Sequence, residues 1–170
     1  MIKQSEMGLI VLVLIMAVTA TIGCYSFSGS SVPPHLKTIA IPLFDDQSGF
    51  GEPGLGEKFT NRLTERFRDD NSLELADKSK SDSILEGTIV SVRDEPAVVV
   101  QGETVTKRRI TISIKATFQD MKLHKKVWEK QLSNTGDYDI SSGPAERQSG
   151  LDAAIEKLTD DLLRQTVSGW

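Results

Sequence analysis

Apolar residues follow three different rhythms along this chain. Residues 7–22 form an uncharged apolar block, three- and four-residue intervals govern 55–67 and 151–167, and a strict alternation runs through 104–119. Each rhythm predicts a different element. Leu55, Phe59, Leu63 and Phe67 recur every four residues with Glu57, Lys58, Asn61, Arg62 and Arg68 between them, which is an amphipathic helix of about four turns. Leu151, Ala154, Ile155, Leu158, Leu162 and Val167 make one apolar stripe behind Pro144, predicting a second helix about 35 Å long. In residues 104–119, Ile110, Ile112, Ile114, Ala116 and Phe118 share one face, with Arg109, Thr111, Ser113, Lys115 and Thr117 on the other. One face is buried and one is wet, as an antiparallel sheet allows.

Shorter runs supply the remaining strands. Residues 37–44 are rich in β-formers, and Pro42, which lacks a ladder donor, predicts a sheet edge or a bulge there. Residues 45–54 are turn chemistry, and 71–75 add a short strand candidate. A long strand spans 84–100, interrupted at Pro96, and Gln101-Gly102-Glu103 turns it into the alternating strand. Residues 121–125 then turn the chain into a third long strand, 126–134, which carries Trp128 and Leu132. Trp128 and Phe118 fill core or half-buried sheet positions. Gly136-Asp-Tyr-Asp139 forms a further turn. The order is β-α-(β)-β-β-β-α. Two helices with one apolar stripe each, and a sheet with one apolar face, bury one another best as two layers. The expected fold is an α+β two-layer sandwich, with two helices packed on one face of a mostly antiparallel, mixed four-stranded sheet.

The N-terminal block changes the picture from fold to cellular address. Lys3 precedes it, Gly23 follows it, and Cys24, the chain's one cysteine, comes next. This is the pattern of a lipoprotein signal peptide over residues 1–23, with Cys24 bearing a covalent diacylglycerol and an N-acyl group and becoming the first mature residue. As an uncleaved anchor, residues 7–22 fall short of the roughly 20 residues that cross a bilayer, and a disulfide finds no second cysteine in the chain. Tyr25, in place of the aspartate that retains lipoproteins at the inner membrane, favours the outer membrane and its periplasmic face. Residues 24–36, rich in Ser, Gly and Pro, read as a flexible tether able to extend about 40 Å. Residues 37–170 are the length of a single domain.

These stretches resemble, in order, the LptE family of lipopolysaccharide-assembly lipoproteins. The resemblance is carried by the signal ending at Cys24, by Ile39-Ala-Ile-Pro-Leu-Phe-Asp-Asp-Gln-Ser48, by the helix opening Gly54-Leu55, and by Ser81-Asp-Ser-Ile-Leu-Glu-Gly-Thr-Ile89. Lys126-Val-Trp-Glu129 and Gly136-Asp-Tyr-Asp139 complete it. It implies a non-enzymatic subunit that plugs the outer-membrane β-barrel LptD, assists its assembly and binds lipopolysaccharide. The family maps no binding residue onto this chain by motif. A pilotin-like or curli-secretion-like lipoprotein serving a different outer-membrane partner is the alternative reading.

Charge and side-chain chemistry supply the candidate contacts. A net charge of −4 asks for no nucleic acid. Lys107, Arg108 and Arg109 form one basic cluster and Lys122, Lys125 and Lys126 another, and adjacent hairpins would separate them by roughly 40 Å. Either suits the phosphates of lipid A, or is a solvated face and a solvated turn. Val98, Val99 and Val100 lie beside the hairpin turn, offering an apolar tip to a barrel lumen or an acyl chain, unless Pro96 folds that tip back under a helix. Enzyme readings fare badly. His35 and His124 fall in the tether and a turn, the pairs Asp45/Asp46 and Asp137/Asp139 lie in turn sequences, and no metal-ligand spacing, phosphate loop or nucleophile elbow is present.

Overall fold

A computed structural model describes residues 32–97, 107–140 and 143–168. Within them the chain forms β1 (Thr38–Ala40), β2 (Asp45–Asp46), α1 (Leu55–Asp70), β3 (Glu74–Leu75), β4 (Ser83–Pro96), β5 (Lys107–Asp120), β6 (Lys125–Asp139) and α2 (Pro144–Ser168). The strands make one mixed sheet in the order β3-β1-β4-β5-β6, and β2 also pairs with β4. The β1, β2 and β3 pairings are parallel, while β4-β5-β6 form a long antiparallel meander. Both helices pack on one face, so the two-layer α+β sandwich is the fold observed.

The alternation in β5 is realised in full. Ile110, Ile112, Ile114, Ala116 and Phe118 are all fully buried under the helices, and each of the larger ones contributes roughly 1.5–3 kcal/mol through burial. The four-residue rhythm of α1 is equally faithful, with Leu55, Phe59, Leu63 and Phe67 buried. Gly54, at φ 69°, leads into this helix, and Asn71, at φ 57°, ends it by donating its N–H to the Phe67 carbonyl. Thr60 ties helix to sheet. Its hydroxyl donates to the Gly56 carbonyl at 2.7 Å and accepts the Phe44 N–H at 2.9 Å. Along α2 the predicted stripe from Leu151 to Val167 faces the core. A row of ion pairs joins the helices, Lys58 to Asp152, Arg62 to Glu156, and Arg66 to Glu156 and Asp160. Lys58, Arg62, Asp152 and Glu156 of these pairs line a groove of about 380 Å³ along the helix seam.

Four details differ from the sequence expectation. Six strand segments replace the four expected, because the short candidate at 71–75 joins the sheet as β3 and a further strand follows the run 37–44. Pro42 cannot donate to a ladder, so β1 stops at Ala40, and two of the residues read as turn, Asp45 and Asp46, resume parallel pairing as β2. Second, β1 is no edge: it lies between β3 and β4, with Pro42 outside its pairing. Third, β6 continues five residues past the expected end at 134. The sequence Gly136-Asp-Tyr-Asp139 is therefore strand and not turn, and Asp137 and Asp139 are strand residues. Fourth, the N-terminal side of the domain is ordered before residue 37: Leu36 is buried and Val32 packs against the core.

The helix-free face of the sheet is mostly polar, with Ile84, the register partner of Gln119, and the exposed Leu43 beside Thr88 and Lys115 as apolar exceptions. Its cross-strand contacts include Ser113 with Ser133 at 3.0 Å, Lys115 with Glu129 at 2.7 Å, and Gln119 donating to Glu86 at 2.8 Å. Lys115, with Lys126 beside it, holds the Glu129 carboxyl down at about 2. Phe118 and Trp128, on neighbouring strands, stand 5.9 Å apart between ring centres, the first buried and the second half-buried, as read from the sequence.

Candidate functional site

The antiparallel meander gives the sheet two remote ends, and every basic candidate lies at one or the other. Lys107, Arg108 and Arg109 open β5, whereas Lys122, Lys125 and Lys126 surround the turn that follows it. The separation into two clusters holds. What surrounds each cluster was not legible.

At the hairpin end, strand parity splits the first cluster. Arg108 continues the buried face that starts at Ile110, while Lys107 and Arg109 project from the polar face. Arg108 donates through Nε to the Asp94 carboxylate at 2.8 Å and through Nη2 to the Asp94 carbonyl at 2.7 Å. The Tyr138 hydroxyl donates to the same carboxylate at 2.8 Å. Arg147, from the first turns of α2, reaches Asp94 at 3.4 Å and Glu52 at 3.0 Å, with its guanidinium 5.1 Å from the centre of the Phe50 ring. Side chains from β5, β6 and α2 thus converge on one carboxylate of β4. Burial alone would push the Asp94 carboxyl up; the hydrogen bonds from Arg108 and Tyr138 and the charges of Arg108 and Arg147 outweigh it and hold it below its ordinary value. Burial and the Asp94 hydrogen bond push the Tyr138 hydroxyl up. On the opposite face Arg109 makes a two-point pair with Asp137, at 2.6 and 2.8 Å. Arg108 and Arg109 are therefore both engaged by carboxylates, and Lys107, across from Asp139, is exposed. The valine tip, Val98 to Val100, lies outside the described residues, as does Cys24.

At the other end the chain entering the domain is locked to the β5–β6 turn. His35 Nε2 meets the Asp120 carboxylate at 2.5 Å, and Asp120 also accepts the Leu123 N–H at 2.9 Å. Lys122 Nζ donates to the His35 carbonyl at 2.7 Å and pairs with Asp82 at 3.0 Å. Asp82 in turn accepts the Lys37 and Thr38 N–H groups. In both Asp82 and Asp120 burial opposes ionisation, but the donors around them prevail and both carboxyls are held low. Lys126 pairs with Glu129 at 2.7 Å, and Lys125 is exposed. His35 is thus an ordered anchor point of the domain.

Sequence reasoning missed Asp94, Tyr138, Arg147 and Asp120. For Arg108 and Asp120 a signal existed. Extending the β5 alternation by one step at each end places a charge on the buried face, and such a charge demands a partner. Nothing local pointed to Tyr138, which reaches Asp94 across β5, or to Arg147, which reaches it through the packing of α2. Among the described residues no group of His, Cys, Asp and Glu is placed to hold a metal ion. Neither end brings a nucleophile to a base. What they offer are fixed, charge-balanced platforms at the foot of the hairpin and at the tether.

Comparison with known proteins adds a family and a fold. The family model for LptE, described as lipopolysaccharide-assembly, matches residues 36–168. No curated protein matches the chain. Solved structures of similar shape include a protein from Xanthomonas campestris, 13% identical, with a TM-score of 0.60 over 79% of this chain and 88% of that one. PelC from Paraburkholderia phytofirmans, crystallised as a dodecamer, is 14% identical, with a TM-score of 0.51 over 78% and 90%. A minor lipoprotein from Acinetobacter baumannii is 11% identical, with a TM-score of 0.50 over 79% and 92%. At such identities these likenesses speak for the fold alone.

Proposed function

The chain belongs to the LptE lipopolysaccharide-assembly family, and we propose that it is a lipid-anchored, non-catalytic subunit of the outer-membrane machine that delivers lipopolysaccharide to the cell surface. The family match across residues 36–168 is the observation that carries this reading. In it, Cys24 bears the diacylglycerol and N-acyl group, and the domain sits as a plug in an LptD-type β-barrel, assisting its assembly and meeting lipopolysaccharide on the way. The fold suits such work. Its helix-free face is mostly polar and hydrogen-bonded across strands, which suits an aqueous lumen. Of the basic residues at the hairpin end, Lys107 is the one we assign to lipid A phosphates or barrel carboxylates, because carboxylates of the domain itself engage Arg108 and Arg109. The valine tip at residues 98–100 is assigned to the barrel or an acyl chain on its composition.

Mild-detergent extraction from native membranes tests this. A large β-barrel of the LptD class is expected to co-purify in near-equal amount. Recovery of the chain with a secretion pore, or with no barrel, would favour the pilotin-like or curli-secretion-like reading instead.

A further inference from the structure

The end of the sheet that receives the tether has a chemistry of its own. We propose that the β5–β6 turn, residues 121–126, rests on the anionic phospholipid surface of the membrane to which Cys24 holds the chain. The inference rests on the acylated-Cys24 reading above.

Chain length fixes the neighbourhood. Eight peptide steps separate Cys24 from Val32, where the described structure begins, and even fully extended they span no more than about 28 Å. The chain then arrives directly at the turn: His35 is held by Asp120 at 2.5 Å and its carbonyl by Lys122 at 2.7 Å. The membrane anchor therefore leads to this end of the domain and not to the hairpin end, a full strand length away.

What the turn presents to that surface is one large exposed apolar side chain beside the exposed Lys125, with Lys122 and Lys126, each also paired with a carboxylate, on its flanks. Leu123 is 64% exposed. Lys122, Lys125 and Lys126 flank it, and the segment contains no carboxylate. His124 adopts a left-handed backbone, φ 50°, which shapes the tight connection between the two strands. The nearby acids are already engaged: Asp120 by His35 and the Leu123 N–H, Asp82 by Lys122 and two backbone N–H groups, Glu129 by Lys115 and Lys126. A basic turn with an apolar tip is complementary to phosphate headgroups over acyl chains. The contact can be weak because the tether holds the turn at high effective concentration next to the bilayer. Its consequence is orientation: the turn faces the membrane, and the hairpin end faces away.

The test uses the acylated full chain carrying Leu123→Cys, whose new thiol is its single free one because Cys24 is consumed by the lipid. An environment-sensitive fluorophore on that thiol reports contact with brominated lipids in vesicles of phosphatidylcholine, with or without phosphatidylglycerol. We expect quenching several-fold stronger when phosphatidylglycerol is present, lost in high salt and in Lys125→Glu/Lys126→Glu, and absent for a label at Ile140→Cys at the opposite end. Equal quenching at the two positions, no quenching at either, or quenching indifferent to lipid charge would overturn the proposal. So would quenching that requires lipopolysaccharide in place of phosphatidylglycerol. If the unsubstituted chain itself takes up the fluorophore and fails to float with vesicles, the anchor falls, and this contact with it.

Discussion

Replacing Gly136 with alanine should unfold the junction of α2 with β6 and destabilise the domain by about 3 kcal/mol or more, the upper range of overpacking. An added Cβ would overlap the Gly150 carbonyl oxygen, and it would lie 2.8 Å from the Gly150 carbonyl carbon and 3.0 Å from the Ala154 nitrogen. All three are backbone atoms of α2, so no side chain can swing aside. The helix must lift, and lifting it withdraws Leu151, Ala154 and Ile155 from the core. Gly150→Ala supplies the contrast. Its Cβ would meet the Tyr138 side chain, 3.1 Å from Cδ1 and 3.2 Å from Cβ, contacts that a shift of a few tenths of an ångström relieves, and it should cost less than half as much. Urea unfolding of both variants checks the pair. Equal and small losses would mean that α2 is not held against β6 as described.

The second large effect belongs to Asp94. Truncation to alanine strands Arg108 and the Tyr138 hydroxyl, both turned toward the vacated carboxylate, and should cost roughly 1–3 kcal/mol. Arg109→Ala breaks the exposed pair with Asp137 on the polar face, which solvent screens, and should cost far less. Acid separates the two further. The folded-state pKa of Asp94 is depressed, so its ionic stabilisation is fully present above the unfolded value near 4 and is lost as pH falls through the lower folded value. Asp82 and Asp120 behave alike. Between pH 5 and 8 these three carboxylates should leave stability flat. Below about pH 4 stability should drop, and Asp94→Asn should make that drop shallower. An Asn variant with an unchanged acid limb would remove Asp94 from the account.

How much of this was legible depended on whether a feature is local. The β5 alternation and the α1 and α2 stripes were plain because each element buries one face, and its period is printed in neighbouring residues. Gly136 was misread for the opposite reason. A glycine between Thr135 and Asp137 looks like a turn, and only the distant Gly150 backbone shows that it clears a path for a helix. Arg108 was grouped with Lys107 and Arg109 because charge runs are read along the chain, whereas strand parity sorts them onto two faces. His35 looked like tether because its partner, Asp120, lies 85 residues on. The candidate site was legible as composition, two basic clusters at opposite ends; its carboxylate partners, supplied by tertiary packing, were not.

The central claim is that this chain serves delivery of lipopolysaccharide to the outer surface. The measurement that bears on it most directly is the lipopolysaccharide accessible at the surface of native cells as the protein is depleted. Surface lipopolysaccharide should fall while newly made molecules accumulate on the periplasmic side, and resupply of the wild-type chain should restore it. Undiminished surface lipopolysaccharide in fully depleted cells would contradict the claim.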